Sequence, residues 1–325
     1  MKCIAILLLL SSFFCCSANA QDTVSSYGPN TMVRNVRKSK DGSILIAASF
    51  SGVLRYDGKT FTNITSKLGA RRVWDVMEDR SGDLWIATSD SGLYRYNGKS
   101  FEHFTSRDGL SSNGVMSIYE DKAGIIWIGT GAGISRYDGK SFQNLNTKAG
   151  RPNNDITTII QDKAGKFWIG TRGEAFVYDG NTFTTLSHEG EAFKNIWSIL
   201  EDQNGHIWLG GNEGLWRYDG STFTQVAKKG ATAIIQDHNG NIWTTGVVNP
   251  PGGKVWALSR YDNKSLYTRK PKSTEITSIE GPGMLCGILE ANDGSIWFGA
   301  LGSTSGVFRY DGNTVTDFSN KAVQR

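Results

Sequence analysis

A turn glycine recurs along the chain at Gly42, Gly82, Gly124, Gly165, Gly205, Gly240 and Gly294, at intervals of 40, 42, 41, 40, 35 and 54 residues. A tryptophan follows three residues later in six of the seven units, and an Asp-Gly or Asn-Gly dipeptide precedes the last apolar run of six units. Fixed periods near 40 residues, short apolar runs and an aromatic at one register predict an all-β chain: a seven-bladed β-propeller of four-stranded antiparallel blades. The composition agrees. Gly makes up 39 of 325 residues, and the charge balance of 35 Lys+Arg against 31 Asp+Glu excludes a disordered polyelectrolyte.

The chain begins with Lys2, an apolar run from Ile4 to Phe14, and Ala18-Asn19-Ala20. The run is about half the ~20 residues a spanning helix needs, and the A-x-A pattern marks a cleavage site, so residues 1–20 read as a secretory signal peptide cut after Ala20. Lipidation at Cys15 or Cys16 is the alternative; the large Phe14 and the Cys15 that precede them argue against it. The expected location is periplasmic or secreted. Cleavage would leave Cys286 as the one cysteine and a net charge of 34 − 31 = +3, so no intramolecular disulfide is expected and the core must stabilise the fold. The mature chain shows no transmembrane run, no Lys/Arg cluster of nucleic-acid type and no zinc-finger spacing, so neither a membrane span nor a nucleic-acid partner is expected. Residues 21–32 form an N-terminal segment, and 33–325 a single propeller domain.

Each unit divides into four apolar runs, in the second unit Val73–Met77, Leu84–Ala87, Leu93–Tyr96 and Phe101–Phe104. The first turn carries Asp three residues before Gly in five units (Asp79, Asp121, Asp162, Asp202, Asp237), the first and fourth positions of a type I turn. The third turn carries Asp57, Asn97, Asp138, Asp179, Asp219 or Asp311 before glycine, dipeptides that tolerate the positive φ of a two-residue hairpin. Asp262-Asn263 substitutes in unit six. Trp85, Trp127, Trp168, Trp208, Trp243 and Trp297, with Leu45 in unit one, read as packing between blades, because a ligand site needs no copy in every blade.

The repeated pattern I-x-E-D-x-x-G-x-I-W-I-G-T-x-x-G-L-x-R-Y-D-G resembles the two-component regulator propeller repeat, from about Val33 to Phe318. Unit one departs with Lys38-Ser39 in place of Glu-Asp, and unit six departs at 247–259. The resemblance implies a relative of the periplasmic sensing propellers of hybrid histidine kinases, many of which sense polysaccharide fragments. No membrane helix, immunoglobulin-like linker or kinase follows the last blade, so any signalling role is expected to be indirect.

In a four-stranded meander the first and third turns emerge on one face, where the units are nearly identical. The second turns and the connections between blades emerge on the other, where they vary, and variable loops on a rigid scaffold are where binding residues concentrate. Candidate ligand-binding residues there are Arg71, Arg72, Trp74, Arg172, Trp197, Asn212 and Trp256, with Glu174, Lys194 and Glu213 nearby. A long second loop in blade six, 245–256, and a long connection into blade seven with Arg269, Lys270 and Lys272 are expected on the same face. Trp74 and Trp197 stand eight residues before the turn glycine, where other units place Arg34, Met116, Thr157, Thr232 and Cys286. A position ranging from Thr to Trp is not fixed by packing, so exposure to a central cleft is expected; partly buried tryptophans of imperfect repeats are the alternative.

Catalytic patterns are thin. His103, His188, His206 and His238 fall in different units without H-E-x-x-H, and no G-x-S-x-G or P-loop occurs. His188 with Glu189 and Glu191 is a faint echo of the histidine base of streptogramin-lyase-like propellers. No cofactor, metal or catalytic residue is expected. Three functions stay open: a ligand-binding propeller for glycan or cell-envelope fragments, a scaffold for an envelope protein partner, and a secreted lyase.

Overall fold

The computed structural model describes residues 22–145, 155–248, 255–268, 271–281, 283–302 and 304–319. The proposed signal peptide, the Asn249–Gly253 loop tip and Arg269–Lys270 lie outside these residues. Seven antiparallel sheets each take four consecutive strands in order, and a two-stranded hairpin, Ser187–His188 with Glu191–Ala192, stands between blades four and five. Each inner strand packs on the inner strand of the next blade, and blade seven returns to blade one, so the ring closes.

The second strands of blades one to five, Leu84–Thr88 and Ile126–Thr130 among them, are buried at every residue, and those of blades six and seven over their first five, because both faces of each meet a neighbouring blade. Their fourth residue is Ala or Gly in every blade but the sixth, for a direct reason. A Cβ on Gly170 would stand 2.7 Å from the Ile196 carbonyl of blade five, and one on Gly299 would stand 2.4 Å from the Val33 carbonyl of blade one.

The turn aspartates do two jobs. In blade three Asp121 Oδ1 accepts the amides of Ala123 and Ile125 at 2.8 and 2.9 Å, closing the turn, and Oδ2 accepts the indole N–H of Trp127 at 2.8 Å. The same indole bond recurs from Trp85, Trp168, Trp208 and Trp243 to their own turn aspartates. Blade one lacks both partners, having Ser39 and Leu45. In the third turn only the glycine takes positive φ, for example 100° at Gly58, while Asp57 sits one step outside it and accepts the amides of Lys59 and Thr60 at 2.8 Å each.

Neighbouring blades are clasped on the turn face. The first-turn amide of one blade donates to the Glu or Gln ending the next inner strand: Lys40 to Glu78, Arg80 to Glu120, Lys122 to Gln161, Lys163 to Glu201, Gln203 to Gln236 and His238 to Glu290, at 2.8–3.0 Å. The seventh join would require Lys38, which has no acceptor. There the N-terminal segment takes over. Thr23–Ser25 adds a fifth, outermost strand to blade one, and Gly28 donates its amide to the Phe318 carbonyl of blade seven at 2.9 Å. Trp297 and Phe318 stack at 5.1 Å beside Phe61 and Tyr56, the same aromatic packing that other joins carry, as between Trp85, Phe104 and Tyr137.

Two sequence expectations are corrected here. Blade six ends in the outer strand Ser273–Glu280, so the segment with Lys272 belongs to that blade's third turn and not to the connection into blade seven. Trp256 lies inside the strand Val255–Tyr261, paired with Val247 and Ile279, and not in the second loop.

Candidate functional site

The inner strands line a central channel of about 360 Å³, and all seven residues eight positions before the turn glycines reach its wall: Arg34, Trp74, Met116, Thr157, Trp197, Thr232 and Cys286. Backbone geometry explains why they are free to differ. In blades one to five the ladder with the second strand skips the residue at this position, as between Val73 and Asp75 or between Ile196 and Ser198. Such a bulge re-aims a side chain out of the regular sheet alternation.

The members of this ring are not equivalent. Thr232 Oγ1 lies 2.9 Å from the carbonyls of Thr245 and Leu285, and Thr157 bonds the Ile196 carbonyl, so these hydroxyls serve the wall. Cys286 is 5% exposed, and burial pushes its thiol up to about 11, which keeps it protonated and weakly nucleophilic near neutral pH. Trp74 and Trp197 are half-buried and each carries an arginine on its ring. The Arg34 guanidinium stands 3.7 Å from the Trp74 centroid and that of Arg172 5.5 Å from the Trp197 centroid.

Arg172 comes from the second turn of blade four and is held by Asp155 at 2.7 Å. Asn212, from the second turn of blade five, accepts the Trp197 indole N–H at 2.9 Å. The sequence-chosen residues Arg172, Trp197 and Asn212 therefore form one cluster, and Trp74 forms another with Arg34. Deeper in the wall Asp75, 2% exposed, accepts from Asn35 at 2.6 Å and Arg37 at 3.2 Å and joins blades one and two.

Arg71 and Arg72 are exposed on the blade one to two connection, outside the channel lining. Arg72 stands 5.7 Å over the ring of Phe50, which is 57% exposed and has φ of 64°. Trp256 packs part-buried against the core shared by blades six and seven. His188 meets Trp216 edge-on at 5.2 Å on the outer part of blade five, away from the channel, with the exposed Glu189 at 3.8 Å. Among the described residues no group of three His, Cys, Asp or Glu is placed to hold a metal ion, and no helix is long and apolar enough to cross a membrane. Sequence reasoning named Arg34 only as a member of the variable ring; the structure places it on the channel wall over Trp74.

Four segments, 67–90, 109–132, 150–173 and 190–213, match the family described as "Two component regulator propeller". These four segments resemble two-component regulator propeller repeats. Each matched segment spans a blade connection, an inner strand and the second strand, the parts that build the channel wall. Among solved structures, the extracellular domain of the putative hybrid two-component system BT3049 from B. thetaiotaomicron is similar at 23% identity and a TM-score of 0.68, over 94% of this chain and 42% of that one. The chain thus spans less than half of that relative. Catalytically inactive virginiamycin B lyase from Staphylococcus aureus, solved with quinupristin, is similar at 14% identity and a TM-score of 0.65, over 89% of this chain and 99% of that one. PorZ, a surface component of the type-IX secretion system of Porphyromonas gingivalis, gives 17% identity and a TM-score of 0.59, over 84% and 46%. At these identities the likeness is one of fold. No curated protein sequence matches the chain.

Proposed function

We propose that this regulator-type propeller is an exported, sensor-like binding module that takes a small ring-bearing ligand, a glycan or cell-envelope fragment, at the variable mouth of its channel without altering it chemically. The observation that carries the reading is the pair Trp74 and Trp197, set by bulges on a channel wall where five other blades put Arg, Met, Thr or Cys. The half-buried indole of Trp197, flanked by Arg172 and Asn212, and that of Trp74, with Arg34 on one face, offer flat apolar surface with polar groups at its margin, the usual composition of a small-ligand site. The extracellular domain of the putative hybrid two-component system BT3049 lends support as a relative in fold.

A thermal-shift screen of residues 21–325 against oligosaccharides and cell-wall fragments tests it. Ligand at 100 times its dissociation constant adds about 2.7 kcal/mol, a shift of a few degrees. One ligand class should shift the protein, and Trp74→Ala with Trp197→Ala should abolish the shift. An unchanged affinity in the double variant would overturn the assignment of the site. A second reading, a docking scaffold for an envelope protein, draws on the exposed Val24, Tyr27 and Phe50 beside Arg72. A lyase reading would need His188, which stands away from the channel; turnover of a ligand that His188→Ala abolishes would restore it.

A further inference from the structure

Arg34 is the odd cation of the channel. Its guanidinium is half-buried on the Trp74 ring, and among the described residues its Nε is buried without a hydrogen-bond partner and it forms no ion pair. The carboxylates that could neutralise it are committed elsewhere: Asp75 to Asn35 and Arg37, and Asp155 to Arg172. Burial lowers the Arg34 pKa; the neighbouring Cys286 thiol acts against this, and the more weakly felt positive charge of Arg172 adds to it. Withdrawing a cation from water without a counter-charge is unfavourable for the empty protein. An anion entering the mouth would remove that penalty and gain a charge-assisted hydrogen bond from a fork already held flat on an indole.

We infer that Arg34 receives an anionic group of the ligand, a carboxylate or a sulfate borne on a sugar-sized ring. This rests on the channel being the binding site, as proposed above, and narrows its ligand to acidic rings. A neutral ring would leave Arg34 as it stands, whereas an acidic one would pair with it. Trp74 then acts as the platform that orients the guanidinium, and Thr232, Thr157 and Cys286 serve as wall.

The test compares D-glucuronate, D-glucose and inorganic sulfate by titration calorimetry on residues 21–325. Glucuronate should bind roughly tenfold or more tighter than glucose, the equivalent of one charge-assisted hydrogen bond, sulfate should compete with it, and added NaCl should weaken it. Arg34→Met, which keeps a flexible apolar side chain over Trp74, should erase the preference for glucuronate over glucose, and Arg34→Lys should keep part of it. The unliganded Arg34→Met protein should melt no lower than the parent, since an unpaired cation has been removed. Equal binding of glucose and glucuronate, or a preference that survives Arg34→Met, overturns the inference. If the Trp74/Trp197 double variant still abolishes binding in that case, the channel reading stands without the anion. Binding of none of the three probes, or a clear drop in melting temperature for Arg34→Met, also overturns it, the latter because it would make Arg34 a structural residue.

Discussion

Replacing Asp121 with alanine isolates the interaction that the repeats share. Asp121 is 6% exposed and Trp127 2% exposed, and the carboxylate accepts one indole N–H and two turn amides. The amides of Ala123 and Ile125 lie in a turn that water reaches and recover much of their loss. The buried indole has no other acceptor, so its full desolvation penalty of about 1–3 kcal/mol falls on the folded state, and the opened turn adds roughly 1 kcal/mol. The expected cost is thus about 2–4 kcal/mol. Blade one supplies the control, since it carries Ser39 and Leu45 in place of the pair. In a Trp127→Leu background there is no indole to orphan, so Asp121→Ala should cost only the turn, and the double-mutant cycle should return a coupling of roughly 1–3 kcal/mol. Urea unfolding followed by circular dichroism of all four proteins measures it. A cost of Asp121→Ala below about 1 kcal/mol, or the same cost in both backgrounds, would refute the claim that the aspartate acts through the tryptophan.

The third-turn aspartates Asp57, Asp138, Asp179, Asp219 and Asp311 are held below the ordinary carboxylate range, first by the amide three residues on and then by the amide two residues on. A depressed folded pKa contributes stability that is present above the unfolded value near 3.9 and is lost as pH falls through the folded value. The melting temperature should therefore be little affected by these groups above about pH 5 and should fall below about pH 4, less steeply in Asp219→Asn; an equal acid slope in that variant would count against the turn's role. Removal of residues 22–30 takes away the fifth strand of blade one and the Gly28 bond to Phe318. At about 1 kcal/mol per hydrogen bond it should cost roughly 2–4 kcal/mol, or about 3–8 °C in melting temperature. A truncated chain that melts within about 1 °C of the parent would show that blades seven and one hold together without the arm.

The fold was legible because its strongest determinants are local and repeated. The aspartate, glycine and tryptophan of one first turn lie within seven residues, so Asp121 and Trp127 meet without any long-range contact, and seven copies average out single departures. Closure was less legible, since it depends on Thr23–Ser25, which precedes the repeats and carries none of their signal, pairing with Phe61–Asn63 some 40 residues on. Blade six was misread at Lys272 and Trp256 because its outer strand, Ser273–Glu280, is largely exposed and has no regular apolar alternation to betray it. The variable ring could be found by comparing units at one register. That Arg34 lacks a carboxylate could not, because Asp75 and Asp155 are claimed by partners fixed only in three dimensions.

The register of the bulge decides which residue each blade displays, and this accounts for the asymmetry of the ring. In blades one to five the skipped residue is the ring residue itself, so Arg34, Trp74 and Trp197 are released from the ladder. In blade seven the bulge falls one residue later: Cys286 pairs with Gly299 and is buried, while Gly287 takes the irregular position with φ of 48°. A Cβ at Gly287 would lie 2.8 Å from Asn35 Cα and 2.9 Å from the Arg34 carbonyl, so this glycine is what lets the last blade close against the first. The strand that presents Arg34 is also the one that carries Lys38 in place of the clasp acceptor and leads into Leu45 in place of tryptophan. The least regular join of the propeller and its least compensated charge thus share one strand, where the repeat's shared constraints on sequence are weakest and a binding residue can be placed at little cost to the other six joins.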